Sequence, residues 1–409
     1  MLSTKAGKVV STETQFDMET KLNLITKRAI EDKRFKFTSL AHLLNETSLK
    51  ECYFMIKEDR AAGIDEVTFE EYELYLNTNI HKLVKRMKSG EYYPQPLRRA
   101  YIPKGEGELI PLGIPSIEDK IVQMGVARIL NAIFEPNFLD CFYGFREGRS
   151  CHQALKQLDN TIMTKPVNHI IDAHIRGFFD NVEHDWLLEM LKQKIADKNF
   201  LKIIVRFLKA GVMEEGKLLP TEEGTPQGGV ISLILSNVYL HYVLDLWVEK
   251  VVKREMQGYV GLIRYCDDFV ILVQYKEEAG KILLLLEERL NKFGLDLAKE
   301  KTRAIEFGRY ARINAERKGR KPNTFDFLGF THYCDKSRKG NFKVGRKTRR
   351  KKLNAKLKEM NEWLKTVRNM VELKEWWKTL SAKLRGHYEY MALVETMRVL
   401  ESSINGVVT

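Results

Sequence analysis

The sequence predicts a mixed α+β fold in a chain of 409 residues. Residues 1–92 repeat apolar positions three and four apart, which is typical of amphipathic helices. The middle of the chain alternates short apolar runs with helical segments, and the end is basic and largely helical. An apolar content of 44% and an aromatic content of 10% exclude wholesale disorder. The length predicts two to three domains or one multi-lobed enzyme.

The N-terminal part is predicted to be helical up to a hairpin. Helices are expected over residues 16–32, 39–61 and 69–90, with the turn AAGID between the second and the third. The segment LRRAYIPKGEGELIPLGIP places two apolar runs around a Gly-rich tip that carries Lys104, which predicts a β-hairpin within residues 93–115. A further helix is expected from about Ile117 to Phe134.

The middle of the chain is predicted to alternate strands and helices. Strands are expected at NHIIDAHI and in the two halves of LIRYCDDFVILVQ, and helices over residues 184–194 and 277–293. The loop GTPQGG leads into the apolar helix VISLILSNVYLHYVLDLW. Because that helix contains Asn237, His241 and Asp245, a buried core helix is expected and not a membrane span. A domain boundary is expected near residue 340.

The charge balance points to a polyanionic partner. The chain has 68 Lys and Arg against 55 Asp and Glu, a formal charge of +13. The block KSRKGNFKVGRKTRRKK, at residues 336–352, contains ten basic residues and no acid. Such a segregated block is expected of a surface that binds phosphates, and a generally solvated basic surface is the alternative.

The cysteines and the N-terminus indicate a cytosolic protein. The five cysteines form no CxxC pair and no zinc spacing, so they are expected to be reduced thiols. The first residues lack the apolar core of a signal peptide. The expected location is the cytoplasm, and a bacterial cytoplasm in particular.

The segment RYCDDFVIL gives the strongest single indication of chemistry. Asp267 and Asp268 stand between two apolar β-rich runs, so a tight hairpin would present both carboxylates together. Two carboxylates about 5 Å apart repel by roughly 3 kcal/mol at an effective dielectric near 20, which a divalent cation would relieve. In two-metal phosphoryl transfer a further carboxylate must come from a neighbouring strand, and DAHIRGFFD is the candidate. A solvated Asp-Asp turn is the alternative.

Seven segments, taken in order, resemble the successive blocks of group II intron-encoded reverse transcriptases and maturases. They are YIPKGEGELIPLGIP, FYGFREGRSCHQAL, DAHIRGFFDNVEHDWL, GTPQGGVISLILSNVYLH, RYCDDFVIL, FGLDLAKEKT and FDFLGFTHY. The resemblance runs from about Ala61 to Tyr390. It implies a right-hand polymerase fold with fingers and an antiparallel palm sheet, followed by an α-helical thumb that is also the maturase region. The implied parts are an N-terminal extension and start of the fingers (1–92), fingers and palm (93–335), and a basic thumb/maturase region (336–409) that is expected to be truncated.

The resemblance also implies roles for individual residues. Asp267 and Asp268 match the catalytic, metal-binding pair, and Lys301 matches the lysine proposed to protonate pyrophosphate. Three residues match nucleotide-binding positions of the family. They are Lys104 in the fingers hairpin, Phe179 as the aromatic gate against a ribose 2′-hydroxyl, and Gln227 beside the incoming nucleotide. The segment FLGF resembles the primer grip. Two Mg²⁺ ions are the implied cofactors.

Several positions depart from the family pattern. His174 stands where the family has the third metal-binding Asp, and Asp172, roughly 6.6 Å along the strand, is too far to replace it. Mg²⁺ prefers hard oxygen ligands, whereas Mn²⁺ tolerates imidazole better, so His174 puts efficient catalysis in doubt and leaves Mn²⁺ as an alternative cofactor. Ile110 and Leu233 replace a usual Arg and Pro.

Two functions from different classes follow, and both involve RNA. The first is an RNA-directed DNA polymerase and maturase that binds group II intron RNA, assists its splicing and uses an RNA template, a DNA primer and dNTPs. The second is an RNA-binding splicing cofactor without polymerase activity, supported by the basic C-terminal block and by Trp363, Trp376 and Trp377. A nucleotide cyclase would share the paired carboxylates but has no use for the Lys104 hairpin. No membrane partner is expected, and the sequence leaves homodimer formation open.

Overall fold

The computed structural model of the chain describes residues 12–56, 61–105, 108–225, 228–367 and 370–391. Gln227 lies outside these residues, and for Lys104 only the backbone is described. The helices within the described ranges are α1 (Thr12–Glu31), α2 (Glu46–Met55), α3 (Phe69–Leu74), α4 (Leu76–Ser89), α5 (Ile117–Phe134), α6 (Cys151–Thr164), α7 (His184–Lys192), α8 (Lys198–Leu208), α9 (Val230–Leu240), α10 (Lys253–Glu255), α11 (Lys276–Asn291), α12 (Ala311–Arg317), α13 (Arg350–Val367) and α14 (Leu373–Met391).

Strands alternate with these helices over most of the chain, and they form three sheets. The strands are β1 (Leu97–Gly105), β2 (Glu108–Ile114), β3 (His169–Arg176), β4 (Val212–Glu214), β5 (Lys217–Leu219), β6 (Val260–Tyr265), β7 (Asp268–Val273), β8 (Asp296–Leu297), β9 (Arg303–Glu306), β10 (Thr324–Phe327), β11 (Phe330–Lys336) and β12 (Phe342–Thr348). The predicted mixed α+β class is confirmed.

The first predicted N-terminal helix is α1, which is slightly longer than expected, whereas the second begins later and the third is divided. The helix expected over residues 39–61 begins only at Glu46, because Asn45 caps it: its side chain accepts from the Ser48 N–H, and the Ser48 hydroxyl accepts from the Asn45 N–H. The helix expected over residues 69–90 is two helices, α3 and α4, because the backbone of Tyr75 leaves the helical conformation between them. Helix α5 has the predicted bounds.

The predicted hairpin is part of a four-stranded sheet in the order β2-β1-β4-β5. Strands β1 and β2 are antiparallel, with Ile102 opposite Ile110. Strand β4 joins β1 in parallel, and β5 pairs antiparallel with β4. The sequence did not predict β4 and β5.

The central sheet has the order β6-β7-β3-β8, and β9 also pairs with β3. All pairs are antiparallel, and the β3–β7 register sets His174 opposite Asp268. Successive side chains of a strand point to opposite faces of the sheet, and here both faces are covered by other elements. Ile171 of β3 packs in a large core with α5 and α9, whereas Ile170 packs in a second core with α6 and the C-terminal sheet.

The C-terminal sheet has the order β10-β11-β12, with antiparallel pairs. Strand β12, which the sequence did not predict, pairs with β11 along its whole length, so this hairpin spans residues 330–348. Helices α13 and α14 follow it.

The apolar helix of the middle region runs from Val230 to Glu255 through α9, two π-helical turns and α10. Within the described part of the chain it is the one helix long and apolar enough to cross a membrane, but 78% of its apolar window is buried inside the fold. The predicted buried core helix is confirmed, since Asn237, His241 and Asp245 are all buried.

Candidate active site

A two-residue turn joins β6 to β7 and carries the paired carboxylates. We call residues 265–268 the acidic turn. Tyr265 and Asp268 pair across the hairpin, so Cys266 and Asp267 form its tip. Cys266 has a positive φ of 58°, a left-handed conformation that a tight hairpin turn requires. The acidic turn therefore presents Asp267 and Asp268 side by side at one end of the central sheet.

His174 lies beside the acidic turn, on the neighbouring strand β3. Its Nδ1 atom is 3.4 Å from Oδ1 of Asp268, and its Nε2 atom is 3.4 Å from Oδ1 of Asp172. The other oxygen of Asp172 is 3.5 Å from Nε of Arg303, on β9. Arg303, Asp172, His174 and Asp268 thus form a chain of alternating basic and acidic groups across three strands.

The carboxylates around His174 shift its protonation. Hydrogen bonding to Asp172, the largest effect, and to Asp268 raises the pKa of His174 to about 9, although burial of the ring acts in the opposite direction. The ring is therefore an imidazolium cation at neutral pH. The pKa of Asp267 is also raised, by burial first and by the charge of Asp268 second. The imidazolium offsets part of the negative charge that the acidic turn concentrates.

This donor set does not fit the two-ion site that the family resemblance implies. Among the described residues there is no group of three or more His, Cys, Asp or Glu side chains arranged to hold a metal ion. A protonated imidazole has no free lone pair for a metal, and Mg²⁺ requires oxygen ligands in strict octahedral geometry. Among the carboxylates at the site, those of Asp267 and Asp268 are the candidates to supply such oxygens, because His174 and Arg303 already approach both oxygens of Asp172.

Phe179 belongs to a short turn after β3 that is fixed to the GTPQGG loop. The turn Phe178–Asp180 follows Gly177, and the Phe179 side chain is partly buried against the large core. The Phe179 carbonyl accepts a hydrogen bond from the Thr225 N–H at 2.6 Å. A Cβ atom on Gly224 would lie within 3 Å of the carbonyl oxygens of Asp180 and Phe179, so this position requires glycine. The loop with Gln227 therefore starts directly beside Phe179.

The two predicted lysines lie on different elements. Lys301 is exposed and follows β8, in a segment that reaches the site because the Ala298 N–H donates to the His174 carbonyl at 2.8 Å. Lys104 lies near the tip of the β1–β2 hairpin. The structure thus brings His174 into contact with Asp268 and places Asp267 next to Asp268 in the same turn. It anchors the segment of Lys301 to strand β3, and the start of the GTPQGG loop to the turn of Phe179.

A buried ion pair between Arg264 and Asp245 lies behind the acidic turn, and the sequence did not predict it. Arg264 and Asp245 are both fully buried, and the guanidinium donates to both carboxylate oxygens, Nε to Oδ1 at 2.7 Å and Nη2 to Oδ2 at 2.5 Å. One feature of the sequence could have predicted this pair. Arg264 is a positive charge in the apolar segment LIRY, and Asp245 is a negative charge in the apolar helix VISLILSNVYLHYVLDLW. Charges in buried elements are rarely left unpaired.

The central sheet and its acidic turn fall within a known family. The sequence model described as "Reverse transcriptase (RNA-dependent DNA polymerase)" matches residues 102–332. This range covers the β1–β2 hairpin from Ile102, the central sheet and the acidic turn. The mixed fold with antiparallel sheets fits the polymerase fold of reverse transcriptases, which generally use divalent metal ions.

Individual relatives narrow the class. The chain is 32% identical over 303 residues to the "Group II intron-encoded protein LtrA" of Lactococcus lactis subsp. cremoris, covering 71% of this chain and 50% of that protein. It is 34% identical over 241 residues to "Protein YkfC" of Escherichia coli (strain K12), covering 52% of this chain and 63% of that protein. The chain is also 30% identical over 136 residues to "Nuclear intron maturase 4, mitochondrial" of Arabidopsis thaliana. This match covers 32% of this chain and 16% of that protein.

The chain belongs to the group II intron-encoded reverse transcriptase/maturase family. It spans half the length of the Lactococcus relative.

Proposed function

We propose that the chain binds group II intron RNA, assists its splicing and copies RNA into DNA as an RNA-directed DNA polymerase. The observation that carries this proposal is the acidic turn, which holds Asp267 and Asp268 beside the neighbouring strand of an antiparallel sheet in a reverse transcriptase family member. In the proposed reaction the primer 3′-hydroxyl attacks the α-phosphate of a dNTP and pyrophosphate leaves.

The surrounding residues have proposed roles in the same reaction. Phe179 would close the sugar side of the nucleotide pocket, with Gln227 beside it. Lys104 would contact the triphosphate, and Lys301 would give a proton to the leaving pyrophosphate. The proposed function would require two Mg²⁺ ions, or Mn²⁺ in their place. Asp267 and Asp268 are the proposed ligands, and with His174 in place of a carboxylate the described residues of the site fall short of a full two-ion donor set.

A second candidate function is RNA binding and splicing without DNA synthesis. The observation that favours it is the position of His174, whose ring contacts Asp268 at 3.4 Å where the family has a metal-binding carboxylate. Losing one such ligand removes several kcal/mol of transition-state stabilisation, which lowers the rate by roughly 100-fold or more.

Primer extension on an RNA template tests the polymerase proposal. We compare the unaltered chain, His174→Asp, and His174→Asp combined with Asp268→Asn, each in Mg²⁺ and separately in Mn²⁺. We expect weak product from the unaltered chain, roughly 100-fold more from His174→Asp, and none from the double variant. If the unaltered chain makes no product with either ion while His174→Asp does, the second candidate replaces the first. If His174→Asp is inactive as well, the polymerase proposal is wrong.

The proposed RNA-binding surface is the basic β11–β12 hairpin of the C-terminal sheet together with the start of α13. Its exposed side chains are Lys336, Arg338, Lys339, Lys347 and Arg350. Lys343 pairs with Asp335 at 3.0 Å, and Arg349 pairs with Asp326 at 3.0 Å. The positive charges of Lys343 and Arg349 are therefore partly neutralised. If the exposed lysine and arginine side chains contact RNA phosphates, the affinity for RNA should depend strongly on salt concentration.

Filter binding of intron RNA over a salt series tests this surface. Reversing three charges, with Arg338→Glu, Lys339→Glu and Lys347→Glu, should weaken binding and reduce the log–log salt slope by about 0.7 for each lost contact. Lys82→Glu, Lys85→Glu and Lys88→Glu on α4, which also reverse three exposed charges, provide the matched control. Unchanged affinity in the triple variant, or salt-insensitive binding by the unaltered chain, would contradict the proposal.

The proposed setting is the bacterial cytoplasm. The five cysteines, all within the described residues, form no disulfide, which is compatible with a reducing compartment. Light scattering of the purified chain decides whether it is a homodimer.

A further inference from the structure

The acidic turn rests on a buried polar network centred on Arg264. This is the largest of the fully buried side chains in the described chain, and its exposure is 0%. Its Nε and Nη2 atoms bind the two carboxylate oxygens of Asp245, and its Cζ lies 4.0 Å from the centroid of the Phe142 ring. The guanidinium is therefore fixed in plane and orientation by Asp245 on one edge and by an aromatic face.

The remaining nitrogen of the guanidinium is directed at the acidic turn. Nη1 of Arg264 donates to the carbonyl oxygen of Cys266 at 2.9 Å and lies 3.4 Å from Oδ1 of Asn237. The Cys266 carbonyl belongs to the peptide group that leads directly into Asp267. Since Cys266 holds a φ of 58°, which is unfavourable for a residue with a Cβ atom, a donor at this carbonyl stabilises the conformation that sets the direction of the next side chain.

The opposite side of the turn is held by Gly144. A Cβ atom at this position would lie 2.4 Å from the Cys266 nitrogen, so the chain fits against the turn only with glycine. The Gly144 carbonyl accepts from Nδ2 of Asn237 at 3.0 Å, and the backbone of Arg264 bonds to the same segment through Cys141 and Tyr143. Cys266 is thus clamped between Gly144 and the Arg264 guanidinium.

We propose that Arg264 is a positioning residue that fixes the acidic turn through the Cys266 carbonyl, and that Asp245 serves to aim its guanidinium. Arg264 touches neither of the turn carboxylates in the contacts described, and it acts on them through the backbone. The importance of this positioning for catalysis rests on the proposed polymerase function, whereas the positioning itself is independent of it.

A purely structural role for the ion pair leads to a different expectation. Buried ion pairs add little net stability, and apolar side chains of similar volume can often replace them without loss. If Arg264 and Asp245 only join β6 to the apolar helix, such a replacement should leave the acidic turn as it is. If Arg264 positions the turn, the fold should survive while the turn loosens.

The test measures turn mobility through the thiol of Cys266, which is only 5% exposed. Iodoacetamide labelling is followed by peptide mass spectrometry in the double variant Asp245→Leu/Arg264→Met, with the fully buried Cys52 of α2 as the internal reference. We expect a melting temperature within about 3 °C of the unaltered chain. We expect the Cys266 labelling rate to rise by roughly ten-fold or more, equivalent to about 1.4 kcal/mol of lost local protection, with Cys52 unchanged.

A second variant keeps the proposal open to refutation if the double variant fails to fold. Arg264→Lys retains a positive charge beside Asp245 but lacks the planar fork that reaches both the carboxylate and the Cys266 carbonyl. It should increase Cys266 labelling while the fold remains intact. Cys266 protection equal to that of the unaltered chain, in either folded variant, overturns the proposal.

The catalytic consequence is measured separately. In a His174→Asp background, Arg264→Lys should lower kcat for primer extension while the KM for dNTP stays within about two-fold, because the turn carboxylates and not the nucleotide pocket are displaced. If His174→Asp itself is inactive, the proposed function fails, and the Cys266 labelling result still decides whether Arg264 positions the turn.

Discussion

Replacing His174 with Asp is expected to make the stability of the chain depend on a divalent cation. The imidazole now separates two carboxylates, with contacts of 3.4 Å to Asp172 and 3.4 Å to Asp268. An aspartate at this position removes a cation and adds an anion. It would face Asp268 directly across the β3–β7 pair and stand close to Asp267.

The size of the effect follows from the geometry. Two carboxylates about 5 Å apart repel by roughly 3 kcal/mol at an effective dielectric near 20. The Asp268 side chain is 49% exposed, so solvent screening reduces this to about 1–2 kcal/mol for each new pair. With two new pairs, His174→Asp should lose about 2–4 kcal/mol without metal, a fall in melting temperature of roughly 2–5 °C for a chain of 409 residues. A bound divalent ion at about 100 times its Kd would restore about 2.7 kcal/mol.

Thermal unfolding with and without Mg²⁺ or Mn²⁺ measures this effect. The unaltered chain should melt at nearly the same temperature in all three conditions, because its imidazolium already neutralises the site. His174→Asp should melt lower in chelator and recover with either ion. His174→Asn, which removes the cation without adding an anion, should show a smaller loss and little metal response. Equal stabilisation of the unaltered chain and of His174→Asp by Mg²⁺ would refute the reasoning.

Three further predictions concern other parts of the fold. Burial lowers the pKa of His332 to about 3, so the unfolded chain takes up a proton near its ordinary pKa of 6.5 and the folded chain does not. Stability should therefore fall by up to about 5 kcal/mol as pH drops from 6.5 to 3, and His332→Phe should lessen that fall in acid-denaturation curves. Gly144→Ala should cost about 2–3 kcal/mol in urea unfolding because the new Cβ meets the Cys266 nitrogen at 2.4 Å, whereas Gly280→Ala, which meets nothing within 4 Å, should not destabilise. In a His174→Asp background, Phe179→Ala should raise ribonucleotide incorporation relative to dNTPs by roughly ten-fold or more in competitive primer extension, and unchanged discrimination would count against its role as the sugar gate.

Elements with strong local signals could be predicted from the sequence, and those that depend on distant partners could not. Helix α5 has its predicted bounds because Ser116 caps it and its apolar positions are periodic over five turns. Strands β4 and β5 have three residues each, too few to show a period. Strand β12 is rich in Lys and Arg, and its pairing with β11 overrides a composition that is unusual for a strand.

The candidate site shows the same division. The sequence located Asp267 and Asp268 at a hairpin tip and set His174 on a neighbouring strand, because strand and turn signals are local. It could not show that the ring would contact Asp268, since that depends on the β3–β7 register, nor that the carboxylate of Asp172 on the same strand would approach the ring. Arg264 and Asp245 are nineteen residues apart, and nothing local relates them. Their pairing follows from the packing of the apolar helix against β6.

The strand order also explains why one substitution could restore a carboxylate site. Asp172 has a partner besides His174, because Arg303 of β9 approaches its second oxygen at 3.5 Å. When His174 is replaced by Asp, Asp172 keeps this guanidinium and stays neutralised within the sheet. The new carboxylate then faces Asp268, while Arg264 continues to hold the Cys266 carbonyl. The imidazolium of His174 is the one group that this substitution removes. Arg264 on β6, Arg303 on β9 and Asp245 on the apolar helix, which shape the site, remain in place.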